Sequence, residues 1–155
     1  RSPRAPLLVA ALLMGCATGA ARGPVSSERE LAVRQQLLQE ALGQIGRPYV
    51  YGGGDGEGFD CSGLVVHIYA DAGYGLPRTA AQIKRHGTAI RRQQAQPGDL
   101  LFYRLGRGDH VVVYIGDGRA IHAPASGRTV EVITVDSPWW NQRLDRTVRI
   151  LPARL

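Results

Sequence analysis

Residues 58–69 read GFDCSGLVVHIY, and how this stretch is parsed decides the fold. Asp60 is a good helix cap, and Leu64, Val65, Ile68 and Tyr69 recur at helical spacing before Gly73. The pattern predicts a helix from about Asp60 to Ala72, with Cys61 in its first turn. Backbone N–H groups there have no partner within the helix, and the helix dipole is positive. Both favour thiolate over thiol, the nucleophilic form. The backbone N–H of Cys61 also lies near where an oxyanion would form. The plainer alternative is a small buried side chain that only packs.

Upstream, Ser27 and Glu30 have the spacing of a capping box. Leu31, Leu38, Leu42 and Ile45, with Ala41, then recur near a helical period. Gly46 and Pro48 end this first helix. The segment YVYGGGDGEG, 49–58, reads as a glycine-rich loop. Downstream, Thr79 and Gln82 cap a shorter helix running to His86. From Gln96 the pattern changes to short runs rich in β-branched and aromatic residues: DLLFYR, HVVVYIG, RAIHAP, TVEVITV and finally TVRILP. GDG at 116–118 is a tight hairpin. Helices first and consecutive antiparallel strands second imply an α+β fold with the helices on one side of the sheet.

A cysteine nucleophile needs a base. His67 lies off the Cys61–Val65–Ile68 face, and His86 stands beside Lys84 and Arg85 at a helix end. Neither suits the role. His110 opens one strand run and His122 lies in the next, so the hairpin makes them neighbours across the ladder. One imidazole would take the thiol proton and the other would fix its tautomer. Structural histidines and an inert thiol remain open on spacing alone. A metal site is the rival use of the trio and ranks lower, because compact ligand spacing is missing.

The 155 residues are enough for one domain with a core, and the hydrophobic fraction of 44% and charged fraction of 21% are ordinary. The net charge of +6 fits either attraction to an anionic surface or polymer, or a solvated basic surface. No basic block is interleaved with aromatics, which disfavours nucleic acid. The opening RSPRAPLLVAALLMGCATGA has a basic start and a short apolar run, too short to span a bilayer as a helix. Its Leu13-Met14-Gly15-Cys16 resembles a bacterial lipoprotein signal, which makes Cys16 the lipidated residue. Residues 1–15 are then the signal, 16–26 the lipidated cysteine and a flexible tether, and 27–155 the catalytic domain. Ala17 after the cysteine points to the outer membrane. With Cys16 lipidated, Cys61 has no partner in an oxidising compartment.

The segments ALGQIGRPYVYGGGDGEGFDCSGLVVHIY, GLPRTAAQ, QPGDLLFY, HVVVYIGDGRAIHAPASG and PWW resemble, in order and spacing, the NlpC/p60 family of papain-like cell-wall peptidases, over roughly residues 37–150. The resemblance implies a papain-like α+β fold with Cys61 as nucleophile, His110 as base and His122 as the orienting third member. It assigns Tyr49 a hydroxyl at the oxyanion site. Asp60 is then the helix cap and Ser62 a candidate substrate or backbone contact. It implies a monomeric peptidoglycan endopeptidase needing no metal or cofactor, held by its lipid at the periplasmic face of the outer membrane. A non-catalytic wall-binding lipoprotein, and an acyltransferase or amidase on the same scaffold, are the alternatives. One departure stands out. The family often has glycine two residues after the base histidine, where this chain has Val112, which would either narrow the site or pack.

Overall fold

Three of the four helices precede the main sheet in a computed structural model, which describes residues 24–151. Helix α1 (Pro24–Gly43) is followed by a short hairpin of β1 (Gly54–Asp55) and β2 (Gly58–Phe59), then α2 (Cys61–Asp71) and α3 (Ala80–His86). Next come β3 (Thr88–Ile90), a single 3-10 turn at Arg92–Gln94, β4 (Leu100–Leu105), β5 (Gly108–Gly116), β6 (Arg119–His122) and β7 (Glu131–Thr134). Helix α4 (Pro138–Asn141) and strand β8 (Leu144–Arg149) complete the described chain. Six strands form one antiparallel sheet in the order β3-β8-β4-β5-β6-β7. The expected consecutive meander therefore holds from β4 to β7. The last strand departs from it by returning between β3 and β4.

The turn joining β5 to β6 is closed by Gly116 opposite Arg119. Its central residues, Asp117 and Gly118, have φ of 52° and 68°. A two-residue loop needs this left-handed pair to match the strand twist, and aspartate tolerates it better than most residues. The turn sets the register that brings His110 and His122 together. Val113 pairs with Ile121, so Val112 falls opposite His122 and His110 lies diagonal to it on the same face.

Both faces of the sheet are covered. Leu100, Phe102, Val111, Val113 and Ile121 meet Leu64, Val65 and Ile68 of α2 and Leu37 and Ala41 of α1. On the far face, Leu101, Tyr103, Val112, Tyr114 and Ala120 form a second cluster against Trp140 and Leu144. This two-sided burial explains why HVVVYI is apolar without alternation. Val112 is wholly buried in the far-face cluster, so the larger side chain packs there.

Three expectations about the first helix are corrected. It begins at Pro24, inside the stretch assigned to the tether, so Ser27 lies within the helix and does not cap it. Its core face is Arg34, Leu37 and Ala41, all buried, whereas Leu31 and Leu42 are 57% and 44% exposed, and Ile45, beyond the helix end, is 45% exposed. Arg34 can occupy a core position because Asp99 and the Pro97 carbonyl accept its guanidinium at 3.1 Å and 2.9 Å. Arg149 also bonds the buried Asp99, at 2.8 Å, tying α1 to β8. The expected signal, lipidated Cys16 and residues 17–23 lie outside the described residues. Among the described residues, no helix is long and apolar enough to cross a membrane.

Candidate active site

Cys61 is the first residue of α2, and Asp60 caps it with extended backbone and a side chain that accepts the Gly63 N–H at 2.7 Å. The cap is held in turn by Arg78, on the loop before α3. Arg78 donates to both Asp60 oxygens at 3.0 Å and 2.8 Å, to the Ser62 hydroxyl at 2.9 Å and to the Gly53 carbonyl at 3.0 Å. Burial alone would raise the Asp60 carboxyl, but Arg78 and the Gly63 N–H outweigh it and hold the group below its usual range. Ser62 is buried and also donates to Asp60, at 3.3 Å. One guanidinium thus joins the glycine-rich loop, the cap and the helix that presents the thiol.

The thiol sits against the sheet. The backbone N–H of Val111, immediately after His110, faces the Cys61 sulfur and favours its charged form. On β5 and β6 the two imidazoles meet, with His110 Nε2 and His122 Nδ1 2.8 Å apart. The pairing occupies Nε2 of His110 and leaves Nδ1 as its free nitrogen. Trp140 of α4 roofs the pair, with its ring 6.5 Å from that of His110 and 5.9 Å from that of His122. His122 Nε2 lies 3.1 Å from Glu131 Oε1 on β7, and Arg128 bonds the same oxygen. Tyr49 and Cys61 both pack against the edge of the main core. The Tyr49 N–H donates to the Arg128 carbonyl at 2.9 Å, and Tyr49 bridges Phe59 in parallel.

The electrostatics differ from the expectation for a helix N-terminus. Burial pushes the Cys61 thiol up, against the opposing N–H of Val111. Burial, and then His122, push His110 down to about 3. The resting pair is therefore neutral thiol and neutral imidazole. Desolvation outweighs the helix dipole because β5 covers the thiol. Burial also lowers His122, opposed by Glu131. Tyr49 is raised by burial and then by Cys61, so its hydroxyl stays a donor.

The buried neutral pair predicts acid sensitivity. The unfolded chain protonates its histidines at about pH 6.5, whereas folded His110 resists until about 3. Stability is therefore full above about pH 6.5 and falls as pH drops toward 3. His110 contributes a loss of roughly 3 kcal/mol between pH 7 and pH 4. Urea midpoints at the two pH values measure it, and His110→Gln should flatten the dependence. Equal flattening absent from that variant would contradict the assignment.

The structure pairs His110 with His122 and sets Asp60 and Ser62 around the α2 N-terminus that bears Cys61, while Cys16 lies outside the described residues. His67 pairs with Glu40 at 3.2 Å beside the Phe59 ring, and His86 is exposed. Arg78, Glu131, Arg128 and Trp140 escaped the sequence reading. Only Glu131 left a usable signal: the alternation in TVEVITV, laid across the hairpin register from His122.

A thiol at a helix N-terminus, seated on an antiparallel sheet whose strands carry a buried imidazole pair, defines the papain-like class of α+β domains. Within that class the chain belongs to the NlpC/P60 family, whose model matches residues 46–149. A γ-D-glutamyl-L-lysine dipeptidyl-peptidase of Bacillus cereus is 38% identical over 70% of this chain and 34% of its own. The murein DD-endopeptidase MepH of Escherichia coli is 34% identical over 87% of this chain and 54% of its own. A crystal structure of the peptidoglycan hydrolase RipB of Mycobacterium tuberculosis superposes with a TM-score of 0.69 at 31% identity, covering 83% of this chain and 72% of that one. The chain spans about a third to about half the length of these two curated relatives.

Proposed function

We propose that the protein is a cysteine endopeptidase that hydrolyses amide bonds in the stem peptides or crosslinks of peptidoglycan. The observation that carries the chemistry is the chain of contacts from the α2 N-terminus through β5 to β6. The names of the relatives support the substrate class.

Because the resting pair is neutral, attack is coupled to proton transfer. The Cys61 proton moves to His110 Nδ1 as the sulfur bonds the carbonyl carbon. The Cys61 N–H and the Tyr49 hydroxyl donate to the developing oxyanion. The imidazolium returns its proton to the amine nitrogen, the C–N bond breaks and a thioester remains. Water then attacks that thioester, giving a proton to His110. Collapse of the second intermediate breaks the S–C bond, and the proton returns to the sulfur. His122 holds His110 in the required orientation throughout, as the third member of a triad.

In this reading Cys16 carries a lipid that holds the enzyme at the periplasmic face of the outer membrane, and the enzyme acts as a monomer. Purified sacculi incubated with the protein test the activity. Mass spectrometry of the released muropeptides should show new free amines, absent when the thiol has been alkylated beforehand. The product masses name the bond. Products carrying an acylated acceptor in place of a free amine would make the protein an acyltransferase. A folded protein that releases nothing would favour a wall-binding role.

A further inference from the structure

We propose that Glu131 is a positioning residue: by accepting the Nε2–H of His122 it fixes the tautomers of both imidazoles and leaves the Nδ1 lone pair of His110 free for the Cys61 proton. This deepens the thiol-hydrolase reading above and rests on it.

A carboxylate has no hydrogen to donate, so the 3.1 Å contact requires the proton on His122 Nε2. A neutral imidazole carries one N–H, and His122 Nδ1 is therefore an acceptor. At 2.8 Å from it, His110 Nε2 must be the donor. His110 Nδ1 is then the atom with the lone pair. Each assignment follows from the one before, and the series begins at Glu131. Without it, the two imidazoles can reverse the direction of their shared hydrogen bond. His110 would then present an N–H where the thiol needs a base.

The carboxylate is well placed for this task. Glu131 stands directly opposite His122 in the β6–β7 ladder, so the sheet register sets the contact. Arg128 grips the same Oε1 that faces His122. Its carbonyl accepts the Tyr49 N–H at 2.9 Å. The segment 128–131 therefore holds the far end of the imidazole chain and the wall that carries Tyr49. A surface ion pair between Arg128 and Glu131 alone would not need either connection.

The test compares Glu131→Val with Glu131→Gln. Valine suits a strand and removes the acceptor. Glutamine keeps a carbonyl oxygen that both Arg128 and His122 can draw into place. Imidazole nitrogen–proton correlation spectra of the resting enzyme read the tautomers directly, and muropeptide release reads kcat and KM. In the wild type, both histidines should carry hydrogen on Nε2. The valine variant should show His122 or His110 with hydrogen on Nδ1, and kcat lower by about 10- to 100-fold with KM within about twofold. The glutamine variant should restore the wild-type tautomers and most of kcat. Wild-type tautomers in the valine variant, or an unchanged kcat there, would overturn the proposal. So would equal losses in the two variants. The tautomers are read without turnover, so a wild type that cleaves nothing would defeat the hydrolase reading separately.

Discussion

Cys61→Ala should release free amines from sacculi at less than about one ten-thousandth of the wild-type rate. In the proposed mechanism alanine removes the atom that carries the acyl group, while the Asp60 cap and the Arg78 clamp remain. The variant should therefore fold normally, with a thermal midpoint within about 2 °C of the wild type. Cys61→Ser should be nearly as inactive. The neutral resting pair makes the reason specific: with His110 held down to about 3, the base is weak, and a hydroxyl surrenders its proton far less readily than a thiol. Muropeptide release and thermal unfolding on the same preparations check both halves. Substantial cleavage by the alanine variant would remove Cys61 from the chemistry.

Gly63→Ala should damage fold and activity together. A Cβ at Gly63 would stand 1.9 Å from the Gly53 carbonyl oxygen and 3.0 Å from Asp60 Oδ1. The first neighbour is backbone in a loop that is itself crowded: a Cβ at Gly58 would meet the Pro48 carbonyl at 2.7 Å and Val50 closer still. Nothing can swing aside cheaply. Relief requires the helix and the glycine-rich loop to separate, which pulls on the Arg78 bond to Gly53. The expected cost is about 3 kcal/mol or more, seen as a fall of roughly 10 °C in Tm. Activity should fall well beyond the folded fraction, because the same movement displaces Cys61 from Val111 and Tyr49 from the thiol. Wild-type stability in this variant would mean the loop and helix are not locked at Gly63.

The helix that bears the thiol was legible because cap, apolar period and stop agree over residues 60–73. The β5–β6 turn was legible for a similar reason, since few residues other than aspartate and glycine sit easily in its left-handed pair. The first helix misled where chemistry overrode composition. Arg34 holds a core position, while Leu31 and Leu42, which a count of apolar residues puts in the core, are exposed. That reversal depends on Asp99, far along the chain, which no local pattern reveals. The short strands β1 and β3 offer too few residues for any periodicity. Helix α4 is a single turn started by Ser137 and Pro138, and its importance as a roof comes from Trp140 meeting the imidazoles. Arg78 looks like any basic residue ahead of a capped helix. Its four bonds exist only once the loop and α2 have met. The neutral state of the thiol was equally hidden, since it follows from how closely β5 covers a helix terminus that would otherwise favour charge.

The return of β8 to a place between β3 and β4 has a consequence for how the site is assembled. Strands β4 to β7 are joined in series and can form a ladder from local contacts, whereas β3 has no place in the sheet until the final strand arrives. A growing chain carries Cys61 long before it carries His110 or His122, and it carries both imidazoles before the sheet can close. Synthesis from the N-terminus therefore supplies every site residue before the strand that closes the sheet. The sheet that seats the site closes late, with β8.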